Sequence, residues 1–368
     1  MKIGFLLFAL PFLVLIAIAS VTIFKSAAAY GLLSNMVSRR IFLWMLISLP
    51  IVLIITMAIG AKVYSAINSI VYVIAATWLA VLLYLFMAAV VLAIVNLIAV
   101  WMGFPINMYL FAIGALVIVL GATAYGIVNA TQPRIVEYTI DAPALRADWS
   151  GKNIILVSDP HLGVVRSESF MQKVVDKINA QNPDIVLIAG DIIDGPVFDY
   201  AKGLAPLTEI HAPDGVIYTP GNHEGYNTKP EKFFPIVKAL TTTLIDRRIR
   251  IRNTDIIGLD YKMESSADTM ARLTASGFTP GEPTIVIMHD PKNTEALREA
   301  GVSLVVSGHT HCGQFFPLNL VVKSIYKEFT YGVTKKDATY SITTCGVGTA
   351  MSPLRLGTNP EIVVIHIK

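Results

Sequence analysis

The sequence predicts a chain in two parts, an N-terminal region of four transmembrane helices followed by an α/β domain. Of its 368 residues, 54% are hydrophobic, and the mean hydropathy is +0.61, which is too apolar for a soluble protein. Residues 1–133 contain no aspartate or glutamate, and their basic side chains are Lys2, Lys25, Arg39, Arg40 and Lys62. From Arg134 onward, charged residues return and short β-rich runs alternate with helical stretches. We therefore divide the chain into a transmembrane region, 1–133, and a domain, 134–368.

The net charge of +3 comes from the transmembrane region. That region carries +5, whereas residues 134–368 hold 24 basic and 26 acidic side chains and carry −2. The sequence pI of about 8.7 therefore does not indicate a basic domain surface, and we expect no nucleic-acid partner. The two cysteines are too few for a disulfide scaffold, and neither belongs to a CxxC pair.

Four apolar segments of the first region match transmembrane spans, at about 3–24, 41–60, 69–101 and 107–129. The last two are divided at Gly103 and Pro105, because proline interrupts a helix. The third span is long for a bilayer and must tilt, protrude or be broken. The alternative for Met1–Tyr30 is a cleaved signal, since "SAAAYG" offers small residues at a cleavage site. No charged side chain lies within the spans, which favours an anchor over a transporter.

The distribution of basic residues predicts which side of the membrane the domain occupies. Four spans place the N-terminus and the domain on the same side. Lys25, Arg39 and Arg40 favour a cytoplasmic first loop, whereas Lys2 and Lys62 favour the opposite arrangement. The first group is larger, so we predict an integral multi-pass membrane protein whose C-terminal domain lies outside the cytoplasm.

Five apolar runs of the domain share one design, a buried-type strand that ends in a residue able to bind metal or move a proton. They read "NIILVSD", "DIVLIAGD", "GVIYTPGN", "TIVIMHD" and "VSLVVSGH", with helices predicted between some of them, at about 167–179 and 230–240. Strand ends in α/β folds commonly form the ligand crevice. The polar residues at these ends are Asp159, His161, Asp191, Asp194, Asn222, His223, His289, His309 and His311. Only His211 and His366 lie elsewhere among the seven histidines, so we predict that these strand ends converge on one site.

The motifs "SDPHLG", "GDIID", "GNHE", "HD" and "GHTH", in this order, resemble the motif set of the calcineurin-like metallophosphoesterases. The resemblance covers about residues 150–368, and the closing "CGVGTAMSPLRLGTNPEIVVIHI" is similar to a membrane-associated or exported branch. It implies two mixed β-sheets sandwiched by helices and a site for two divalent ions. Asp159, His161 and His311 would bind one ion, and Asn222, His289 and His309 the other, while Asp191 would bridge them. Carboxylate and imidazole ligands suit Mn, Fe or Zn.

The same resemblance implies a reaction, the hydrolysis of a phosphoester or pyrophosphate by a hydroxide held between the two ions. His223 would act as general acid for the leaving group, and Asp194 would orient it and raise its pKa. A helix-capping or turn role is the alternative for Asp194. Glu224 need not touch the metals.

Three further features leave alternatives open. Arg248, Arg250 and Arg252 would share one face of a strand, either as a strip that binds anionic lipid or substrate or as a solvated edge strand. The apolar segment 315–332 is either a lip for a lipid-linked substrate or ordinary core. Cys312 replaces the glycine usual in the family. It is either a thiol near the metals or the partner of Cys345 in a disulfide, which requires an oxidising compartment and Cα atoms within about 7 Å.

These features predict a membrane-anchored, binuclear-metal phosphoesterase acting on a lipid-linked or envelope substrate, with membrane lipids as partners. One alternative is a cytoplasmic-facing nucleotide-lipid pyrophosphatase of the UDP-diacylglucosamine type. The other is a non-catalytic membrane sensor or scaffold. Such a protein would be expected to lack ligands, whereas every expected ligand position is filled here.

Overall fold

The computed structural model of the protein describes residues 2–60, 66–194, 199–226 and 229–368, except for the side chains of residues 2–10, 12, 58–60 and 226. The chain forms two compact units, the first within residues 1–126 and the second made chiefly of Ile127–Lys368. The division falls a few residues before the predicted boundary at 133/134. The last residues of the fourth helix, from Ile127, belong to the second unit.

The first unit consists of apolar helices, namely α1 (Lys2–Ala29), α2 (Met36–Gly60), α3 (Ala66–Met102) and α4 (Met108–Asn129). Three segments are long and apolar enough to cross a membrane, Met36–Met57, Ala66–Met102 and Met108–Asn129. The described apolar part of α1, Leu13–Ala29, is shorter than a full span. The predicted four helices are thus present, but within the described residues only three meet the length of a span.

The helix α3 continues without a break through its 37 residues, which excludes one of the three outcomes expected for a span of this length. Its buried positions are rich in alanine, including Ala75, Ala76 and Ala80. Small residues let neighbouring helices approach closely where no hydrophobic effect drives them together. Ile23 of α1, Leu46 of α2 and Leu82 of α3 pack in one cluster.

The second unit contains two six-stranded sheets. Its strands are β1 (Arg134–Ile140), β2 (Ile154–Val157), β3 (Leu162–Gly163), β4 (Ile185–Ala189), β5 (Ile193–Asp194), β6 (Val216–Thr219), β7 (Thr242–Thr243), β8 (Arg247–Ile251), β9 (Thr254–Gly258), β10 (Thr284–Ile287), β11 (Leu304–Ser307), β12 (Gly332–Lys336), β13 (Thr339–Thr343) and β14 (Glu361–Ile367). The first sheet has the order β1-β14-β2-β4-β6-β7, the second has the order β12-β13-β11-β10-β9-β8, and β3 pairs with β5 in a short ribbon. Each large sheet contains both parallel and antiparallel pairs.

The two sheets pack face to face, and helices cover their outer faces. Leu156 and Leu187 of the first sheet share a core with Ile285 and Val306 of the second. The helices of this unit are α5 (Pro143–Trp149), α6 (Glu168–Asn179), α7 (Tyr200–Leu204), α8 (Asn222–Tyr226), α9 (Pro230–Leu240), α10 (Ser266–Ala275), α11 (Thr294–Glu299) and α12 (Leu318–Tyr326). Of these, α6, α7 and α9 pack on the outside of the first sheet, while α10 and α11 pack on the outside of the second. The predicted α/β class, with two mixed sheets between helices, is confirmed.

The five strands that carry the motifs lie in the middle of the two sheets. In the first sheet β2, β4 and β6 run parallel to one another, and in the second β10 and β11 do. All five are apolar and their residues are almost entirely buried, which matches the continuous hydrophobic runs read from the sequence. Parallel neighbouring strands end at the same edge of a sheet. The polar residues that follow β2, β4 and β6 therefore lie at one edge of the first sheet, and those that follow β10 and β11 lie at one edge of the second.

Candidate metal centre

The loops that follow these strands hold most of the predicted ligands in a backbone conformation that is costly for residues other than glycine. The residues with positive φ are Asp159 (58°), His161 (49°), Asp191 (51°), His309 (69°) and His311 (46°). Each such residue costs about 1–3 kcal/mol, and clusters of them are typical of functional sites. Hydrogen bonds between the loops maintain the conformation. The N–H of His161 donates to the carbonyl of Asp191 at 3.0 Å, and the N–H of His309 donates to Oδ2 of Asp159 at 3.0 Å.

Asp159, His161 and His311 form the first group of candidate ligands. Their facing atoms are Oδ1 of Asp159 and the two Nε2 atoms. The two Nε2 atoms are 3.0 Å apart. Oδ1 of Asp159 lies 3.4 Å from Nε2 of His311 and 3.7 Å from Nε2 of His161. Burial, helped by the neighbouring His161 and Arg355, holds the pKa of His311 well below its ordinary value. Its imidazole is therefore neutral, which is the form that binds metal.

Asp191, Asn222, His289 and His309 form the second group. Nε2 of His289 lies 3.0 Å from Oδ2 of Asp191, 3.1 Å from Oδ1 of Asn222 and 3.1 Å from Nδ1 of His309. The same Oδ2 of Asp191 lies 3.8 Å from Nε2 of His161 in the first group. Asp191 therefore stands between the two groups, at the place where the resemblance requires a bridging ligand.

The protonation of His289 tests whether these residues fit a cation. Its Nδ1 lies 2.7 Å from the carbonyl of Ala189, so Nδ1 carries the proton in the neutral ring and Nε2 presents a lone pair. Burial lowers the pKa of His289, but the charge of Asp191 and the hydrogen bond to it raise this pKa to about 10. A proton on Nε2 therefore occupies the place, facing the oxygens of Asp191 and Asn222, that a cation would take. In the first group, Oδ1 of Asp159 is buried without a hydrogen-bond partner. Electron-rich atoms about 3 Å apart match the spacing of ligands around an ion with bonds of about 2.1 Å, so both groups fit a divalent cation.

Glycine at position 190 allows the loops to approach this closely. Gly190 has φ +83°, and a Cβ atom there would lie 2.6 Å from the backbone nitrogen of Gly221 and 2.7 Å from Nδ1 of His289. A side chain would therefore push the bridging loop away from both the loop before Asn222 and the ring of His289.

His223 lies at the edge of the two groups with Asp194. Its Nδ1 is 2.9 Å from Oδ1 of Asp194, and its Nε2 points toward the site, 4.0 Å from Oδ2 of Asp191. Burial lowers the pKa of His223, but the hydrogen bond to Asp194 and the charges of Asp191 and Asp194 outweigh it, so the pKa is raised overall. The raised pKa favours the protonated form more than in a free imidazole, and Nε2 faces the site, as a general acid needs. Asp194 ends β5 and hydrogen-bonds His223, which is the contact that the predicted orienting role requires.

Glu224 has a role that the sequence interpretation did not assign to it. Its carboxylate is fully buried and accepts three backbone hydrogen bonds, from Asp191 at 2.9 Å, Gly221 at 2.7 Å and Ile193 at 3.2 Å. It touches no predicted ligand side chain through these bonds, in agreement with the expectation that it need not touch the metals. It ties the loop of Asp191 to the loop of Asn222. An acidic residue after "GNH" does not by itself reveal this role in the sequence.

Replacing Glu224 with alanine is expected to destabilise the domain by about 3 kcal/mol or more, because three buried N–H groups lose their acceptor at about 1 kcal/mol or more each. This corresponds to a fall of roughly 10 °C in the unfolding midpoint of a domain of this size. Thermal unfolding of the full chain in detergent measures it. The exposed Glu264→Ala is the matched control, and an equal midpoint in the two variants would contradict the role of Glu224.

Arg355 is the second residue whose role was missed. It is fully buried, and its guanidinium donates to the carbonyls of Cys345 at 2.6 Å, Gly348 at 2.7 Å and His311 at 3.3 Å. Its Nη2 also lies 3.2 Å from Nδ1 of His311. Burial lowers the pKa of Arg355 to about 10, although Asp159 and Glu361 act in the opposite direction. The guanidinium therefore remains charged at neutral pH and fixes the loop of a predicted ligand.

Cys312 and Cys345 form a disulfide, with their Cα atoms 5.0 Å apart. Of the two alternatives for Cys312, the structure therefore has the disulfide and not a free thiol. The bond joins the loop of His311 to the segment that Arg355 also holds. No metal-ligand role remains for either cysteine.

The three arginines of the predicted basic strip are paired with acidic side chains. Arg248 lies 3.0 Å from Asp255, Arg250 lies 2.7 Å from Glu282, and Arg252 lies 2.8 Å from Asp214. Arg248 and Arg250 belong to β8, which is the outermost strand of its sheet, whereas Arg252 follows the strand with positive φ. These hydrogen bonds go to none of the seven predicted ligands, and the arrangement favours the solvated edge strand.

Comparison with known proteins identifies the family of the second unit. The family model described as calcineurin-like phosphoesterase matches residues 152–313. An uncharacterized metallophosphoesterase of Aquifex aeolicus is 30% identical over 244 residues, which cover 64% of this chain and 92% of that protein. A crystal structure of a dimetal phosphatase from Danio rerio matches at 13% identity over 53% of this chain and 88% of its own, with a TM-score of 0.32.

This chain spans only part of the length of two further relatives. A Danio rerio protein, named a transmembrane protein with metallophosphoesterase domain, is 29% identical over 277 residues. An uncharacterized metallophosphoesterase of Helicobacter pylori is 31% identical over 221 residues. The matches cover 69% and 58% of this chain, and the chain spans only 62% and 59% of the length of these relatives. With its full motif set and the near-complete match to the Aquifex protein, the chain belongs to the calcineurin-like phosphoesterase family.

Proposed function

We propose that the protein is a membrane-anchored phosphoesterase that uses two divalent ions to hydrolyse a phosphoester or pyrophosphate of a lipid-linked or envelope substrate. The observation that carries the proposal is the position of Asp191, whose Oδ2 lies 3.0 Å from His289 of one group and 3.8 Å from His161 of the other. The apolar helices of the first unit support an anchor, which restricts the domain to substrates near a bilayer.

The residues of the site divide the work of hydrolysis. Asp159, His161 and His311 would hold one ion, and Asn222, His289 and His309 the other, with Asp191 between them. The bound ions would supply an activated water and neutralise the phosphoryl oxygens. His223 then protonates the oxygen of the leaving group from Nε2, while Asp194 keeps the ring oriented and stabilises its positive charge through Nδ1.

Hydrolysis of p-nitrophenyl phosphate and bis-p-nitrophenyl phosphate tests the activity and separates monoesterase from diesterase. The full chain in detergent is stripped of metal and then supplied with Mn, Fe or Zn. We expect activity to return with about two ions bound per chain, as elemental analysis measures. Metal-loaded protein that hydrolyses neither compound would contradict the proposal. Lipid extracts incubated with the active protein and read by mass spectrometry would then identify the substrate.

Replacing His223 with alanine is expected to lower kcat by about 10²-fold or more for an ester with a poor leaving group, because general acid catalysis contributes about that much. The loss should be much smaller for p-nitrophenyl phosphate, whose leaving group needs little protonation. The ratio of kcat for phenyl and p-nitrophenyl phosphate measures this. His211→Ala, at an exposed histidine outside the motifs, is the control. A ratio in His223→Ala equal to that of the wild type would contradict the role of His223 as general acid.

We further propose that the domain lies on the outer, oxidising side of the membrane. The disulfide between Cys312 and Cys345 supports this side, because such bonds persist in oxidising compartments and are rare in the cytosol. It speaks against a cytoplasmic-facing nucleotide-lipid pyrophosphatase.

Thiol labelling tests the proposed side of the membrane. Protein denatured without reductant is expected to react with no maleimide, and reduced protein with two per chain. A reporter fused after Lys368 gives an independent reading of the side. Labelling without reductant, together with a cytoplasmic reporter signal, would overturn this orientation.

A further inference from the structure

The helix α12 (Leu318–Tyr326) follows the loop of His311 and buries none of its residues. Leu318, Val321 and Ile325 are 41%, 53% and 62% exposed. Their spacing of three and four residues places them on one stripe of the helix. By contrast, α6 buries five side chains, including Phe170 and Val174, against its sheet. The helix within the apolar segment 315–332 is therefore not core, and it carries an exposed apolar stripe.

The charges around this stripe indicate the chemistry of its partner. Residues 314–327 contain no acidic side chain, and their basic side chains are Lys323 and Lys327, both exposed. Glu328, the next residue, is paired with Arg298 at 2.7 Å. A helix with an apolar face and flanking lysines is suited to an anionic lipid surface, where the apolar side chains enter the acyl region and the cations meet phosphates.

Hydrogen bonds within the second unit connect the start of α12 to the end of α4. Nδ2 of Asn129, the last residue of α4, donates to the carbonyl of Thr358 at 3.0 Å. The hydroxyl of Thr358 donates to the carbonyl of Gln314 at 2.6 Å, and the N–H of Phe316 donates to the carbonyl of Leu356 at 2.9 Å. The segment that enters α12 is thus joined to the residue at which a membrane-length helix ends.

We propose that α12 docks on an anionic lipid bilayer through Leu318, Val321 and Ile325, with Lys323 and Lys327 at the level of the lipid phosphates. A neighbouring face of the helix meets the candidate metal centre through Tyr326. The ring of Tyr326 lies 6.0 Å from that of His309. Docking would therefore place lipid head groups beside the site. The docking itself does not depend on the proposed function, whereas this delivery of substrate rests on it.

Site-specific fluorescence tests the docking in the full chain reconstituted into nanodiscs containing anionic lipid. Val321→Cys and Ile325→Cys are each labelled with the environment-sensitive dye NBD, while the native cysteines stay paired without reductant. We expect spin-labelled lipids to quench both dyes and their emission to shift to the blue. A dye at Ala338→Cys, an exposed position in the turn between β12 and β13, is the matched control and should be quenched far less.

The lysines and the lipid head groups provide a second arm. Lys323→Gln and Lys327→Gln should each weaken the docking equilibrium about fivefold, and replacing anionic lipid with phosphatidylcholine should weaken it at least as much, because each cation contributes about 1 kcal/mol near a charged surface. Quenching that is independent of both changes would contradict the assignment of anionic lipid as the partner.

Other outcomes would overturn the docking itself. Quenching at positions 321 and 325 no greater than at 338 would exclude insertion. Oxidative cross-linking between two copies through Val321→Cys, without quenching, would identify a second copy of the chain as the partner. Since the fluorescence needs no hydrolysis, a docked but inactive protein would refute the proposed function alone, and an active but undocked protein would refute the docking alone.

Discussion

Replacing Asp191 with asparagine is expected to abolish measurable hydrolysis, with a fall in kcat/KM on the order of 10³-fold or more. Removal of one electrostatic stabiliser of a transition state costs about 10²–10³-fold, and Asp191 lies within reach of both groups of ligands. Asparagine has the same shape but no charge, so it weakens the affinity of both sites. Hydrolysis of bis-p-nitrophenyl phosphate and elemental analysis should show lost activity together with fewer than two ions per chain.

Asp337→Asn is the matched control for this substitution. Asp337 has φ 54°, close to the 51° of Asp191, but it is exposed in the turn between β12 and β13. The two variants therefore make the same chemical change at residues with similar positive φ. Full activity and metal content in Asp191→Asn would contradict the bridging role, whereas equal losses in both variants would show that the effect does not arise at the site.

Replacing Arg355 with methionine is expected to destabilise the domain by about 4 kcal/mol or more. Removing one partner of a buried charged network typically costs about 3–5 kcal/mol, and here the carbonyls of His311, Cys345 and Gly348 lose their donor together. For a domain of this size, that corresponds to a fall of more than about 10 °C in the unfolding midpoint. Thermal unfolding of the full chain in detergent is the measurement.

Two further variants show how much of the effect of Arg355→Met comes from burial and hydrogen-bond geometry and how much from the loss of charge. Arg146→Met removes an exposed arginine paired with Asp141 and should cost no more than about 1 kcal/mol, as is typical of surface pairs. Arg355→Lys retains the charge but lacks the planar fork that reaches several carbonyls at once, so it should lie between the wild type and Arg355→Met. A midpoint for Arg355→Met equal to that of Arg146→Met would contradict the structural role.

The strand-end residues of the site could be predicted because their pattern is local. An apolar run followed by aspartate, asparagine or histidine indicates both a buried strand and a polar residue at its end, and strands such as β4 and β10 lie within the predicted runs. The ligand assignments themselves came from the resemblance of the motif set to the calcineurin-like metallophosphoesterases. The geometry then brings Asp191 and His289, 98 residues apart in sequence, to within 3.0 Å.

The residues that support the site could not be predicted in the same way, because their roles depend on distant contacts. The residue type of Arg355 is one usually found at the surface. Its structural role comes only from its position among carbonyls of two loops, those of His311 and of Cys345 and Gly348. Glu224 binds backbone N–H groups, which leave no mark on residue type. The pairing of Cys312 with Cys345 depends on a separation of 5.0 Å between Cα atoms. The apolar composition of α12 was evident, but its exposure was not.

The candidate ligands come from both sheets of the sandwich, with consequences for thermodynamic linkage. Asp159, Asp191 and Asn222 follow strands of the first sheet, whereas His289 and His309 follow strands of the second. An ion held by Asp191 and His289 would cross-link the two sheets, and only the folded chain presents such a site. By mass action, each tenfold rise in free metal above the dissociation constant then adds about 1.4 kcal/mol per ion to the free energy of unfolding. The concentration of free metal in the compartment would then determine the stability of the domain as well as its activity.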